Sequence, residues 1–184
     1  MVSFRLAAVA LLLASPVLAE TYGIGRQTTP EELKRLDISI GPEGDELPVG
    51  RGTVKDGEAL FEEKGCVFCH GEQGAGGSAP ALKAEKGPEA PIWQRGRILP
   101  VRAPFATTVW DYIYRAMPLG IEGTLTADET YAITAYLLYV NKVIPESLVL
   151  DKESLPKVKM PIGKNYADLP DWKPKTPRLK GYPY

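Results

Sequence analysis

The chain has 184 residues, 44% apolar and 24% charged, with a formal net charge of −1. That is the balance of a globular domain, and it excludes disordered, collagen-like and strongly basic nucleic-acid-binding chains. Charge is uneven, however: residues 20–150 carry 13 basic and 19 acidic side chains, whereas 151–184 carry 8 and 4, so an acidic body precedes a basic tail that suits its own body, an acidic partner or solvent.

Residues 1–19 read as a secretory signal peptide. Arg5 gives a short basic start, Leu6 to Leu13 is wholly apolar, and Val17-Leu18-Ala19 offers small residues for cleavage after Ala19. The apolar run is too short to cross a bilayer, which takes about 20 residues. The next richest stretch, Ile133 to Ile144, is interrupted by Asn141 and Lys142. The expectation is a periplasmic protein whose mature form has no membrane span. Residues 20–52 then form a Gly-, Pro- and charge-rich extension without periodicity, which should not fold alone.

Periodic apolar sequence marks one domain over 53–145. Asp56 is placed to cap a helix running to about Lys64, with Ala59, Leu60 and Phe61 on its apolar face and Gly65 as its stop. At its end, Cys66-Val67-Phe68-Cys69-His70 is C-x-x-C-H, the signature of covalent c-type haem attachment. Two thiols add to the haem vinyl groups, and the histidine ligates iron from one side. An oxidising compartment would otherwise favour a disulfide. A thioredoxin-like pair lacks its βαβ context, and a zinc site needs four ligands where the chain has two Cys and one His.

After His70 a Gly-rich loop, 71–79, runs to Pro80. Trp93, Arg95, Arg97 and Arg102 follow, where the arginines either reach the haem propionates or stay solvated. Thr108-Val109-Trp110-Asp111 reads as a capping box for a second helix carrying Val109, Tyr112, Ile113 and Ala116 at helical spacing; Pro118 ends it at Met117. With one histidine in the chain, the far side of the iron falls to another residue type. Apart from Met1 the methionines are Met117 and Met160, the latter also followed by proline but inside a Pro-rich extension.

Thr126-Ala127-Asp128-Glu129 is a second capping box, opening a closing helix with a stripe of Ile133, Tyr136, Leu137, Val140 and Ile144. Trp110, Tyr131, Tyr136 and Tyr139 read as core and pocket packing. Residues 146–184 contain six prolines and read as a second irregular extension.

The haem motif, its loop and the Arg115-Ala116-Met117-Pro118 stretch resemble the class I c-type cytochromes. The resemblance implies an all-α fold, three main helices around one covalently bound haem c. It also implies Met117 as the second axial ligand and the Pro80 carbonyl as acceptor of the proton on the other ring nitrogen of His70. Longer stretches, among them Tyr22-Gly23-Ile24-Gly25-Arg26, Ala106 to Ile113, Tyr131 to Leu137 and Ile144 through Pro161, resemble the monohaem cytochrome subunit of periplasmic sulfur or sulfite dehydrogenases of the SoxD type. That implies a molybdenum-cofactor dehydrogenase subunit as electron donor, flanks that clasp it, and a downstream cytochrome or oxidase as acceptor. Some relatives carry two haem motifs where this chain has one. Nothing in the sequence supports independent catalysis, because His70 is committed to iron. A freely diffusing carrier and a haem-based gas sensor are the competing readings.

Overall fold

The computed structural model describes residues 25–36 and 39–163, and the chain divides into two units, one ending at Asp37 and one beginning at Ile38. The signal peptide, with its cleavage site, and the tail beyond Gly163 lie outside the described residues.

The first unit contributes a short helix, α1 (Pro30–Leu36). Thr29 and Glu32 cap it reciprocally: Glu32 N donates to Thr29 Oγ1 at 3.2 Å and Thr29 N to Glu32 Oε2 at 3.0 Å. Proline at the first helical position suits a residue without an N–H. This Thr-Pro-Glu-Glu start is a local helix signal inside a stretch expected to be irregular.

The second unit is built on two helices, α2 (Val54–Glu63) and α6 (Ala127–Val140), packed against each other. Thr53, not Asp56, caps α2; Asp56 sits three residues on, donating its N–H to Thr53 Oγ1 at 3.1 Å while its carboxylate accepts the Thr53 hydroxyl at 2.6 Å. Asp56 was expected as the cap; Thr53, which takes that place, carried no expectation. Glycine permits the close approach of the two helices: a Cβ on Gly57 would stand 1.9 Å from the Ala132 carbonyl oxygen, and just before α2 one on Gly52 would stand 2.0 Å from Ala132 N.

Helix α6 begins with the expected capping box, Glu129 N to Thr126 Oγ1 at 3.3 Å and Thr126 N to Glu129 Oε2 at 2.8 Å. It is buried all round from Thr130 to Leu138 rather than along one stripe, and it ends at Val140, short of Ile144. Its other sides are covered by α4 (Leu99–Arg102), by α5 (Ala106–Ala116) and by the chain on either side of the cytochrome-like segment. Strand β1 (Arg51–Gly52) pairs antiparallel with β2 (Leu150–Asp151), Gly52 opposite Leu150. Leu47, Leu150, Leu155, Met160 and Ile162 enter the core, and Lys152 Nζ donates to the Asp45 carbonyl at 2.9 Å. Residues 39–52 and 146–163 thus fold onto the helices instead of standing away from them.

Helix α5 starts three residues earlier than the Thr108 capping box suggested, with Phe105 at its N-cap. Asp111 is drawn instead to Arg115 one turn on, where Arg115 Nε donates to Asp111 Oδ1 at 2.7 Å and a second bond joins Nη2 to Oδ2. Trp110 is fully buried, stacked on Tyr114 and tilted against Tyr131, which is core packing.

Candidate haem site

Gly65, at φ 76°, ends α2 and lets the chain re-enter a helix of its own, α3 (Cys66–His70). At this i, i+3, i+4 spacing Cys66, Cys69 and His70 share one helix face. Both thiols are free; Cys69 is exposed, while burial pushes the half-buried Cys66 thiol above the ordinary cysteine range. Gly71, at φ 74°, stops the helix, and a Cβ there would fall 2.4 Å from the Gly76 carbonyl oxygen.

The loop folds straight back over the end of α3. Gly76 N donates to the His70 carbonyl at 2.7 Å and Ala79 N to the Cys69 carbonyl at 2.8 Å, satisfying carbonyls that a helix end leaves open. That return brings Pro80 to His70, whose Nδ1–H donates to the Pro80 carbonyl at 2.8 Å. With the proton held on Nδ1, Nε2 keeps its lone pair for a metal.

Met117 is the C-cap of α5, extended at φ −128° and ψ 151°, half-buried and packed against the core beside the Asp111–Arg115 pair of the preceding turn. Met160 is only 6% exposed, part of the core with Leu155 and Ile162. Of the three arginines, Arg95 is buried, with Nη2 donating to the Asn141 carbonyl at 2.9 Å, which removes the solvated reading for this one. Arg102 is half-buried and bonded to the Gly96 and Trp93 carbonyls; Arg97 is exposed.

Sequence reading passed over Asn141, seeing it only as a break in an apolar run. It is a buried cap that holds the far end of the haem loop, its side chain bonded to Leu82 and Ala84. Asparagine just after an apolar helix is the signal that could have marked it.

The chemistry of these residues fits a covalently attached haem: two unpaired thiols three apart on one helix, and an imidazole with Nδ1 already satisfied. Among the described residues no group of three or more His, Cys, Asp or Glu gathers as it would for a protein-held metal ion.

The family model described as cytochrome c matches residues 54–141. No curated protein matches the sequence. Among solved structures, a chain of the sulfane dehydrogenase SoxCD from Paracoccus pantotrophus is similar, 33% identical with a TM-score of 0.68, over 88% of this chain and 82% of that one. The family match, the C-x-x-C-H face of α3 and a likeness extending well beyond the matched domain lead to one conclusion: the chain belongs to the class I c-type cytochromes, electron-transfer proteins with covalently attached haem c, and is related to their SoxD-type subunits.

Proposed function

We propose that the chain is the periplasmic electron-accepting subunit of a molybdenum-dependent sulfur-compound dehydrogenase, a sulfite or sulfane dehydrogenase, and that it catalyses nothing itself. The likeness to the SoxCD chain carries this reading, because at 88% of the chain it takes in the segments on both sides of the cytochrome domain. No helix among the described residues is long and apolar enough to cross a membrane, in keeping with a protein exported behind the 1–19 segment.

In this reading Cys66 and Cys69 anchor the haem, which supplies one-electron exchange between ferric and ferrous iron. His70 Nε2 would ligate the iron, while the Pro80 carbonyl keeps the His70 proton on Nδ1. Met117 would supply the second protein ligand to the iron; its place at the end of α5 favours it over Met160, whose thioether is enclosed in the core. A thioether ligand would raise the haem potential and leave no site free for a substrate or gas. A dehydrogenase partner would oxidise the sulfur compound, and the haem held by these residues would relay its electrons singly to a downstream cytochrome or oxidase.

A freely diffusing carrier is the second reading, and one observation favours it. Residues 39–52 and 146–163 complete this chain's own core, so they have a role without any partner. Purification from the native periplasm separates the two. Co-elution of haem with molybdenum, and haem reduction on adding sulfite or thiosulfate, is the outcome expected of the subunit; a lone haem protein that stays oxidised establishes the carrier.

A further inference from the structure

Pro80 stands in a loop that has to be held somewhere if its carbonyl is to keep station beneath His70. The holding residue is Asn141, the C-cap of α6, 3% exposed. Its Nδ2 donates to the Leu82 and Leu137 carbonyls, both at 2.8 Å, and its Oδ1 accepts from Ala84 N at 2.9 Å. One amide thus grips the loop from both sides of Lys83 while anchored to its own helix. Its backbone carbonyl accepts from the buried Arg95, tying down the next stretch of the same connection. On the loop's other side, Leu82 N and Lys83 N both donate to the Gly74 carbonyl, at 2.8 and 2.9 Å. Only Ala81 separates Leu82 from Pro80, whose carbonyl accepts the His70 Nδ1–H at 2.8 Å.

We propose that Asn141 is a positioning residue for His70: by clamping 82–84 to the end of α6 it sets where the Pro80 carbonyl stands, and so how electron-rich the imidazole is. This deepens the reading of His70 as an iron ligand and rests on it. A carbonyl held close to Nδ1–H makes the ring a stronger donor, which favours ferric iron. Releasing the clamp lets the carbonyl drift, weakens the donor and favours ferrous iron.

Loss of stability cannot test this, since removing Asn141 strands the Leu82 carbonyl and the Ala84 N–H whatever the residue's role. The measurement is made on full-length holoprotein: the midpoint potential, and the hydrogen-exchange rate of the His70 Nδ1 proton by nitrogen-resolved NMR of the ferrous state. Asn141→Ala should raise the potential, with a three- to tenfold shift of the ferric–ferrous equilibrium (up to about 59 mV for one electron), and should speed exchange at least tenfold. Asn141→Asp keeps an acceptor for Ala84 and loses the donor to Leu82, so it should fall between Asn141→Ala and the native protein. Leu155→Ala, which loosens the core but makes none of these bonds, should lower the melting temperature and move neither signal. Asn141 variants that melt earlier yet keep the native potential and exchange rate would overturn the proposal; if Asn141→Ala yields no holoprotein, Asn141→Asp decides by the same two readouts. Absence of a haem-shifted His70 ring in the native protein would instead remove the ligand assignment itself.

Discussion

Around α6 the protein is sealed. Thr130 to Leu138 are buried on every side, Gly52 and Gly57 bring backbone onto backbone, and Tyr131 reaches through the packing to donate to the Pro48 carbonyl at 3.0 Å. Burial, helped by the nearby carboxylates of Asp151, Glu153 and Asp128, pushes the Tyr131 hydroxyl up to about 12, so it stays a donor at any physiological pH. Around α3 the opposite holds. None of Cys66 to His70 is fully buried, Phe68 is 84% exposed, and order comes from backbone hydrogen bonds in a glycine loop. The first region needs only its own side chains, whereas the second is shaped around a group the chain does not encode. A small domain has little apolar core to spare, so a covalent cofactor on one side leaves the other to be closed by the chain's own side chains.

The widest separation of the two regions should come from the thiols. Replacing both, with Cys66→Ser and Cys69→Ser, should abolish covalent haem entirely; pyridine-haemochrome absorbance after denaturation checks this, and retained covalent haem would refute the attachment. Gly57→Ala is the matching insult to the sealed region. Its Cβ would meet the Ala132 carbonyl 1.9 Å away, so α2 must lift from α6 at a cost of about 3 kcal/mol or more, read by denaturant unfolding of the holoprotein. Native stability in that variant would mean that the helices are not so close.

Next in size is the contrast between the two methionines, Met117 at the end of α5 and Met160 in the core. If Met117 is the proposed ligand, Met117→Ala should lower the potential and open the ferrous iron to rapid carbon monoxide binding, because the iron would lose a thioether. Met160→Ala should leave both unchanged and instead cost about 2–5 kcal/mol of stability, the range for emptying a buried methionine site. Exchange of those outcomes would make Met160 the ligand. Rapid carbon monoxide binding by the native protein would favour a gas sensor.

What was legible in the sequence follows the same division. The C-x-x-C-H run, the glycine loop and the Thr126–Glu129 box are local statements made over three to ten residues, and each has its local structure here. The second helix was legible but its start was not: Thr108 and Asp111 carry a capping pattern, yet Asp111 gains more from Arg115 one turn on. Nothing local distinguishes Gly57 from any other helical glycine, since its reason is Ala132, 75 positions away. The same applies to Asn141, whose partners sit at 82 and 84, and to Leu47, Leu150 and Leu155, apolar residues in irregular chain that become core once Gly52 finds Leu150.

One ion pair joins the two regions. Lys64, the residue closing α2 just before the haem motif, donates to Glu129 Oε1 at 2.6 Å, and Glu129 also accepts from Thr126 N in the α6 capping box. The Lys64 ammonium first, and the Thr126 N–H second, hold the Glu129 carboxyl below the usual carboxylate range. A carboxylate lowered in the folded state adds stability above its unfolded value, near 4.3, and that stability is lost as pH falls through the lower folded value. Glu129→Gln keeps a side chain able to accept from Thr126 but removes the charge. At pH 7 it should therefore cost about 0.5–1 kcal/mol, the scale of a partly exposed pair at a helix start. The deficit should be constant above about pH 5 and shrink progressively below pH 4, as the native carboxylate is protonated too. Urea unfolding of both holoproteins at pH 7, 5, 4 and 3 measures it. A deficit as large at pH 3 as at pH 7 would show that packing, not charge, holds the end of α2 to the start of α6.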